Sequence, residues 1–172
     1  FSCRCSREKL LKTLRGFSED EFEIINRIDV YNTPKVLLLE DIQDPGNLGT
    51  IIRTALAFNF DAVVLSSGCA SLYNEKTLAA CKGSNYMIPV FVDELSNYKQ
   101  THTIISSSLQ PNSVNINDID SLIFKEKYVI VIGNEAHGIS EETISLSDYF
   151  FKIPIENIDS LNASVAAGIL LY

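Results

Sequence analysis

Tyr128-Val129-Ile130-Val131-Ile132-Gly133-Asn134-Glu135-Ala136-His137-Gly138 is the stretch whose reading decides the fold. Its first five residues are apolar and mostly β-branched, a run too short for a core helix and without the alternation of a half-exposed strand. Such a run reads as a strand buried on both faces, the mark of a parallel sheet covered by helices. It stops in a loop where Gly133 and Gly138 bracket a lone carboxylate, Glu135. A second run, Phe150 to Ile155, is followed by the polar turn Glu156 to Ser160 and then by small-residue helix material, Leu161 to Leu171. Two strand ends thus each deliver a polar loop, and the second loop runs into a helix N-terminus. Ligands of open α/β sheets sit outside the carboxyl ends of the strands, so the candidate site belongs here.

Upstream, the pattern alternates. A strand is predicted over Lys35 to Leu39, launched by the break Asn32-Thr33-Pro34, and a helix over Leu48 to Phe58. A strand at Ala62 to Ser66, a helix at Asn74 to Cys81, a strand at Pro89 to Val92, a helix near Glu94 to Tyr98 and a strand at Thr103 to Ser106 follow. Ser107 to Asn117, rich in Ser and Asn, reads as a loop. Strands alternating with helices imply a parallel sheet with helices on both faces. Before it, Ser6 to Arg15 and Ser18 to about Ile28 read as two short helices, the second opened by a capping box.

At 172 residues the chain is long enough for one α/β domain. Residues 1–33 are expected to be an extension or the remnant of a preceding domain, and 34–172 the functional domain. The apolar content of 46% is spread without a membrane-length run, and no signal peptide is visible. Cys3, Cys5, Cys69 and Cys81 have neither metal-ligand spacing nor a disulfide framework. Reduced thiols in the cytoplasm and no metal are therefore expected. The net charge of −8 argues mildly against nucleic acid as partner, because phosphate binding is largely electrostatic. The charge is uneven, however. Residues 1–16 carry Arg4, Arg7, Lys9, Lys12 and Arg15 against Glu8 alone, which reads either as a solvated helix face or as an RNA-contacting edge.

The loop Asp44-Pro45-Gly46-Asn47-Leu48-Gly49 joins a strand to a helix N-terminus, a natural anion site. It lacks the third glycine of a Rossmann fingerprint and the G-K-[ST] of a P-loop. Asn47 reads as a helix cap or as a site residue. Arg53 is the one charge in an otherwise apolar helix of Ile51, Ile52, Ala55, Leu56, Ala57 and Phe58. It is either snorkelling or aimed at a phosphate or oxyanion. Glu135 either holds its own turn or shapes the site, and Ser160, Asn162 and Ser164 divide in the same way between capping and function.

Three elements in this order, Asn47-x-Gly49-x-x-x-Arg53-Thr54-Ala55, Gly133-x-Glu135-x-x-Gly138, and Ile153-Pro154 with Ser160-Leu161-Asn162-x-Ser164-Val165-Ala166, resemble the SpoU/TrmH branch of the SPOUT superfamily of RNA methyltransferases. The likeness runs from about Lys35 to Tyr172. It implies a C-terminal deep trefoil knot, one of the rare exceptions to the unknotted rule. It implies S-adenosylmethionine as cofactor, held by main-chain groups at Gly133, Ile153 and Leu161 with Leu65 and Asn162 beside them. The catalytic set it implies is Arg53, Asn47, Glu135, Ser160 and Asn162, completed in a homodimer formed through the knot region. One departure is that the loop Ile155 to Asp159 carries no glycine where the family usually has one. The expected function is methyl transfer to a ribose 2′-hydroxyl of tRNA or rRNA. Its rival is a catalytically inactive RNA-binding or assembly module of the same fold.

Overall fold

The computed structural model describes residues 30–118, 126–158 and 160–172. The two expected N-terminal helices and the basic run 1–16 lie outside the described residues. Seven strands, β1 (Lys35–Leu39), β2 (Ala62–Leu65), β3 (Val90–Val92), β4 (Thr103–Ser107), β5 (Val114–Asn115), β6 (Tyr128–Ile132) and β7 (Tyr149–Lys152), form one sheet in the order β3-β2-β1-β6-β4-β7-β5. Every pairing is parallel. Among the described residues, four α-helices accompany it: α1 (Pro45–Ala57), α2 (Glu75–Cys81), α3 (Glu141–Leu146) and α4 (Ala163–Leu171).

The period of two sorts the strands onto two cores. Leu37, Leu39, Val63, Leu65, Ile130 and Ile132 face α1, α2 and α4. Val36, Leu38, Val64, Val129 and Val131 face the other side, against Tyr98, Ile139 and the α3 residues Ile144 and Leu146. That is why β6 is apolar at every position: all five of its residues are buried. Each such Val, Leu or Ile contributes roughly 1.5–3 kcal/mol by leaving water.

β6 lies between β1 and β4, so the sheet reverses its winding direction beside β1. Leu39 pairs with Leu65 on one side and with Ile132 on the other. The carboxyl ends of β1, β2 and β6 are therefore level, and the loops starting at Glu40, Ser66 and Gly133 emerge from one edge.

Several expectations need correction. α1 begins at Pro45, not Leu48, because Asp44 caps it: its side chain accepts from Asn47 N at 2.7 Å, with Pro45 at the first helical position. Asn47 is thus inside the helix and is not its cap. The expected loop Ser107 to Asn117 contains β5, and the segment between β6 and β7 contains α3. The second apolar run is a strand only as far as Lys152, and the helix near Glu94 to Tyr98 is a 3-10 turn over Leu95–Tyr98. Among the described residues no helix is long and apolar enough to cross a membrane.

Candidate active site

The Gly133–Gly138 loop owes its shape to two residues. Asn134 and Gly138 exchange both main-chain hydrogen bonds, each at 2.9 Å, folding the loop back on itself. A Cβ on Gly133 would stand 2.4 Å from the Gly138 carbonyl oxygen, so only glycine permits this approach. Within the turn, Asn134 Oδ1 accepts from the N–H groups of Ala136 and His137 at 2.8 and 3.2 Å. Its Nδ2 donates to the Asp41 carbonyl at 2.8 Å. Asp41, at φ 55° in the left-handed region, is held in turn by Ser66, whose Oγ accepts from Asp41 N at 2.9 Å and donates to its Oδ1 at 2.8 Å. Asn134, Asp41 and Ser66 were not singled out from sequence. A side-chain amide beside a glycine in a strand-end turn is the usual sign of such self-bonding.

Glu135, half-buried on this turn, accepts from Asn47 Nδ2 at 2.7 Å through Oε1. Asn47 Oδ1 accepts from Asn162 Nδ2 at 3.0 Å. The Oδ1 of Asn162 meanwhile caps α4, accepting from Ser164 N at 3.0 Å and Val165 N at 3.4 Å. Of the two roles the sequence leaves open, the cap is observed, and the same side chain also bonds Asn47. The chain Asn162–Asn47–Glu135 ties the first turns of α1 and α4 to the loop after β6. A carboxylate beside two helix N-termini is in its favourable place.

Beside this chain lies a cavity of about 630 Å³. Gly133, Glu135, Ile153, Ser160 and Leu161 all line it, together with the loop after β4 at Ser107 to Gln110. No hydrogen bond joins the main chain of Gly133, Ile153 or Leu161 to the main chain of another described residue.

Two expected site residues are placed elsewhere. Leu65 is 3% exposed in the α1-side core and borders a different cavity, walled by β3 and the loop after β2. Arg53 is exposed on α1 and makes no hydrogen bond or ion pair among the described residues. It stands six residues beyond Asn47, about 9 Å along the helix axis and some 240° around it, and does not line this cavity. Cys69 and Cys81 are free thiols, both pushed above the ordinary thiol range by burial. Among the described residues no cluster of His, Cys, Asp or Glu could hold a metal ion.

Comparison with known proteins gives concordant results. A 23S rRNA (guanosine(2553)-2′-O)-methyltransferase, RlmP of Bacillus subtilis, is 39% identical over 146 residues, covering 80% of this chain and 56% of its own length. The crystal structure of an AdoMet-bound rRNA methyltransferase from Sinorhizobium meliloti superposes with a TM-score of 0.72 at 30% identity, over 79% of this chain and 53% of that one. The SpoU methyltransferase AviRb from Streptomyces viridochromogenes, in complex with AdoMet, gives 0.75 at 26% identity, over 86% and 58%. The chain thus spans about half the length of the curated relatives it matches. The sequence model of the SpoU rRNA Methylase family matches residues 34–172, from the residue before β1 through the end of α4, and the chain belongs to that family.

Proposed function

We propose that residues 34–172 form the catalytic domain of an S-adenosylmethionine-dependent RNA methyltransferase, acting on a ribose 2′-hydroxyl of rRNA or tRNA in the cytoplasm. The observation that carries this reading is the convergence of the 630 Å³ cavity with the Asn162–Asn47–Glu135 chain at one sheet edge. The cavity fits the cofactor's adenosine. An adenine edge asks for one donor and one acceptor, and the main chains of Gly133, Ile153 and Leu161 line the cavity without main-chain partners among the described residues. Ile132, Ile155 and Leu170 give it apolar walls.

When bound, the cofactor supplies an already activated methyl group. The protein's own task is then to position the ribose and favour the oxygen's loss of its proton, which passes to water or a phosphate oxygen of the RNA. Glu135 and Asn162, each bonded to Asn47, are a preorganised polar wall for that positioning, with Ser160 beside them. Arg53 would lend positive charge to the developing alkoxide or the adjoining phosphate. An arginine keeps its proton at neutral pH, which makes the electrostatic role the economical one.

Because Arg53 does not line the cavity, its site would be that of a second copy, in a homodimer. α4 presents Val165, Ile169 and Tyr172, which are 52%, 42% and 97% exposed and spaced to share one face. We assign the dimer contact to this stripe, joined by a knotted C-terminal segment. Ala163 and Ala167, on the opposite side of the same helix, are buried.

The test is thermal. S-adenosylmethionine and S-adenosylhomocysteine should each raise the Tm, as native-state ligands do, and NAD should not. A shift with NAD and none with either methionine derivative would overturn the reading. Mass mapping of ribose methylation in cells lacking the protein identifies the nucleotide.

A further inference from the structure

Three cavities open along or near the carboxyl edge of the sheet, and they differ in charge. The first is the one assigned above to the cofactor. The second, of about 520 Å³, is lined by Glu40, Asp93, Glu94 and Glu142 with no lysine or arginine, and it would repel a phosphodiester chain. The third, of about 380 Å³, has no charged side chain in its lining. Its walls are Leu65, Leu72, Val90 and Phe91, with the hydroxyls of Ser67 and Ser71 among them. At its rim stand Tyr73, 80% exposed, and Val92, 66% exposed. Single exposed apolar residues are ordinary on a protein surface. Two at the mouth of one uncharged cleft form a patch.

The cleft is also fixed to the end of β1 and the loop that leads into α1. Cys69 Sγ donates to the Leu39 carbonyl at 3.1 Å, Ala70 N to the Ile42 carbonyl at 2.8 Å, and Ser66 Oγ to Asp41 Oδ1 at 2.8 Å. The turn that presents Tyr73 is itself held: Tyr73 N donates to Ser71 Oγ at 3.2 Å, and Thr77 Oγ1 to the Ser71 carbonyl at 3.0 Å. An exposed ring on a pinned backbone is preorganised for stacking. Three residues on, the first turn of α2 exposes Lys76 together with Glu75.

We infer that this cleft, with Tyr73 as its stacking platform, is a subsite for an unstacked nucleobase of the RNA substrate, next to the methyl-transfer site. RNA is read by proteins chiefly through splayed bases stacked on aromatic rings. An apolar slot with hydroxyls in its wall takes a base face and leaves donors and acceptors for its edge. The cleft is roomy enough for a purine; it shares Ser66, Ser67 and Val92 with the acidic second cavity, so the flanking phosphates would pass on the Tyr73 side, away from those carboxylates. This inference rests on the RNA methyltransferase reading and adds to it a place where the substrate is held.

The probe is a random-sequence single-stranded oligoribonucleotide twelve nucleotides long containing 4-thiouridine, bound to the whole chain and photocrosslinked. The expected crosslinks map to residues 67–73 or 90–92. Tyr73→Ala should weaken binding by about tenfold, the ordinary weight of one base–aromatic stack, while Tyr73→Trp keeps it. S-adenosylhomocysteine affinity, measured by calorimetry on the same samples, should be unchanged in both variants. Equal affinity of wild type and Tyr73→Ala for the oligomer, with crosslinks elsewhere, overturns the subsite and leaves the methyltransferase reading standing. A wild-type chain that binds neither oligomer nor S-adenosylhomocysteine overturns both. Altered self-association of Tyr73→Ala in light scattering, with RNA affinity intact, would make Tyr73 a protein contact and also overturn the subsite.

Discussion

The side-chain amide of Asn47 donates through Nδ2 to Oε1 of Glu135 at 2.7 Å, across 88 residues of sequence. With its other end it accepts from Asn162, so one amide fixes both a loop and a helix start. Asn47 is on the first turn of α1, whose position is set by the Asp44 cap, and Glu135 is on a turn closed by Asn134 and Gly138. Neither backbone can drift without breaking the pair. A hydrogen bond to a charged acceptor contributes about 1.5–3 kcal/mol, and partial exposure puts this one at the low end.

A double-mutant cycle should show that coupling. Asn47→Ala and Glu135→Ala, each compared with the wild type and with the double variant by chemical denaturation, should be non-additive by about 1 kcal/mol. Additivity within about 0.3 kcal/mol would mean that the contact does not hold the two elements together.

Two glycines in helices should respond in opposite ways to alanine. A Cβ on Gly49 would lie 2.4 Å from the Thr77 carbonyl oxygen and 2.7 Å from Ala80 Cβ, where α1 crosses α2. The contact is with backbone and cannot swing aside, so Gly49→Ala should destabilise by about 1–3 kcal/mol, the usual cost of overpacking. Gly168 in α4 has nothing within 4 Å of the same position. Gly168→Ala should be neutral or stabilise by about 0.5–1 kcal/mol. Urea titration of both variants is the measurement, and equal effects would mean that the α1–α2 crossing is looser than described.

The parts of this architecture legible in the sequence were those set by local chemistry. Lys35 to Leu39 is a strand to the residue, because a buried β-branched and leucine run follows a proline break. The turn at Gly133 announced itself by its two glycines. What escaped was decided by partners far away in sequence. β5 is two residues long and exists because Phe151 and Lys152 offer it an edge, a relation with no periodic trace. α3 is a single short helix whose cap, Ser140 accepting from Thr143 N at 3.2 Å, together with Glu141 and Glu142 in its first turn, was a readable signal overlooked. Leu65 has the apolar character of a cofactor contact, but its register with Leu39 and Val92 turns it to another cavity. For Asn47 the residue type allowed cap or site, and Asp44 three residues earlier takes the cap role.

His102 should make stability depend on pH. It is 5% exposed, with Nε2 2.8 Å from the Thr33 carbonyl and Nδ1 2.8 Å from Thr101 Oγ1, and its ring meets Tyr98 edge-on. Burial, with a smaller push from Lys127, holds its pKa below the usual histidine value, against the opposing pull of the Thr33 carbonyl. The unfolded chain therefore binds this proton more readily than the folded one, and stability falls as pH drops below about 6.5. The loss between pH 7.5 and 5.5 should be smaller in His102→Gln than in the wild type, measured by denaturation at each pH. An identical slope would show that His102 titrates alike in both states.

Arg53 should act in trans. It is exposed, unpaired among the described residues, and absent from the lining of its own chain's cavity, yet it is the one cation on α1. If it stabilises charge in the partner's site, Arg53→Ala should lower single-turnover methylation of the cognate RNA by about 10²–10³-fold and leave S-adenosylmethionine affinity intact. Arg53→Lys keeps the charge but loses the planar fork, so partial recovery would indicate simple electrostatics. Ile153→Asp, in the cavity wall, should abolish cofactor binding while leaving Arg53 in place. Mixing the two inactive variants after joint unfolding and refolding then discriminates. In a symmetric dimer half of the random pairs are mixed, and each mixed pair holds one composite site built from an intact Arg53 and an intact cavity. About a quarter of wild-type activity should return on mixing. No recovery, with mixed dimers verified by mass, would place Arg53 and the cavity it serves in the same chain. Wild-type turnover in Arg53→Ala itself would reduce the residue to a solvated charge on α1.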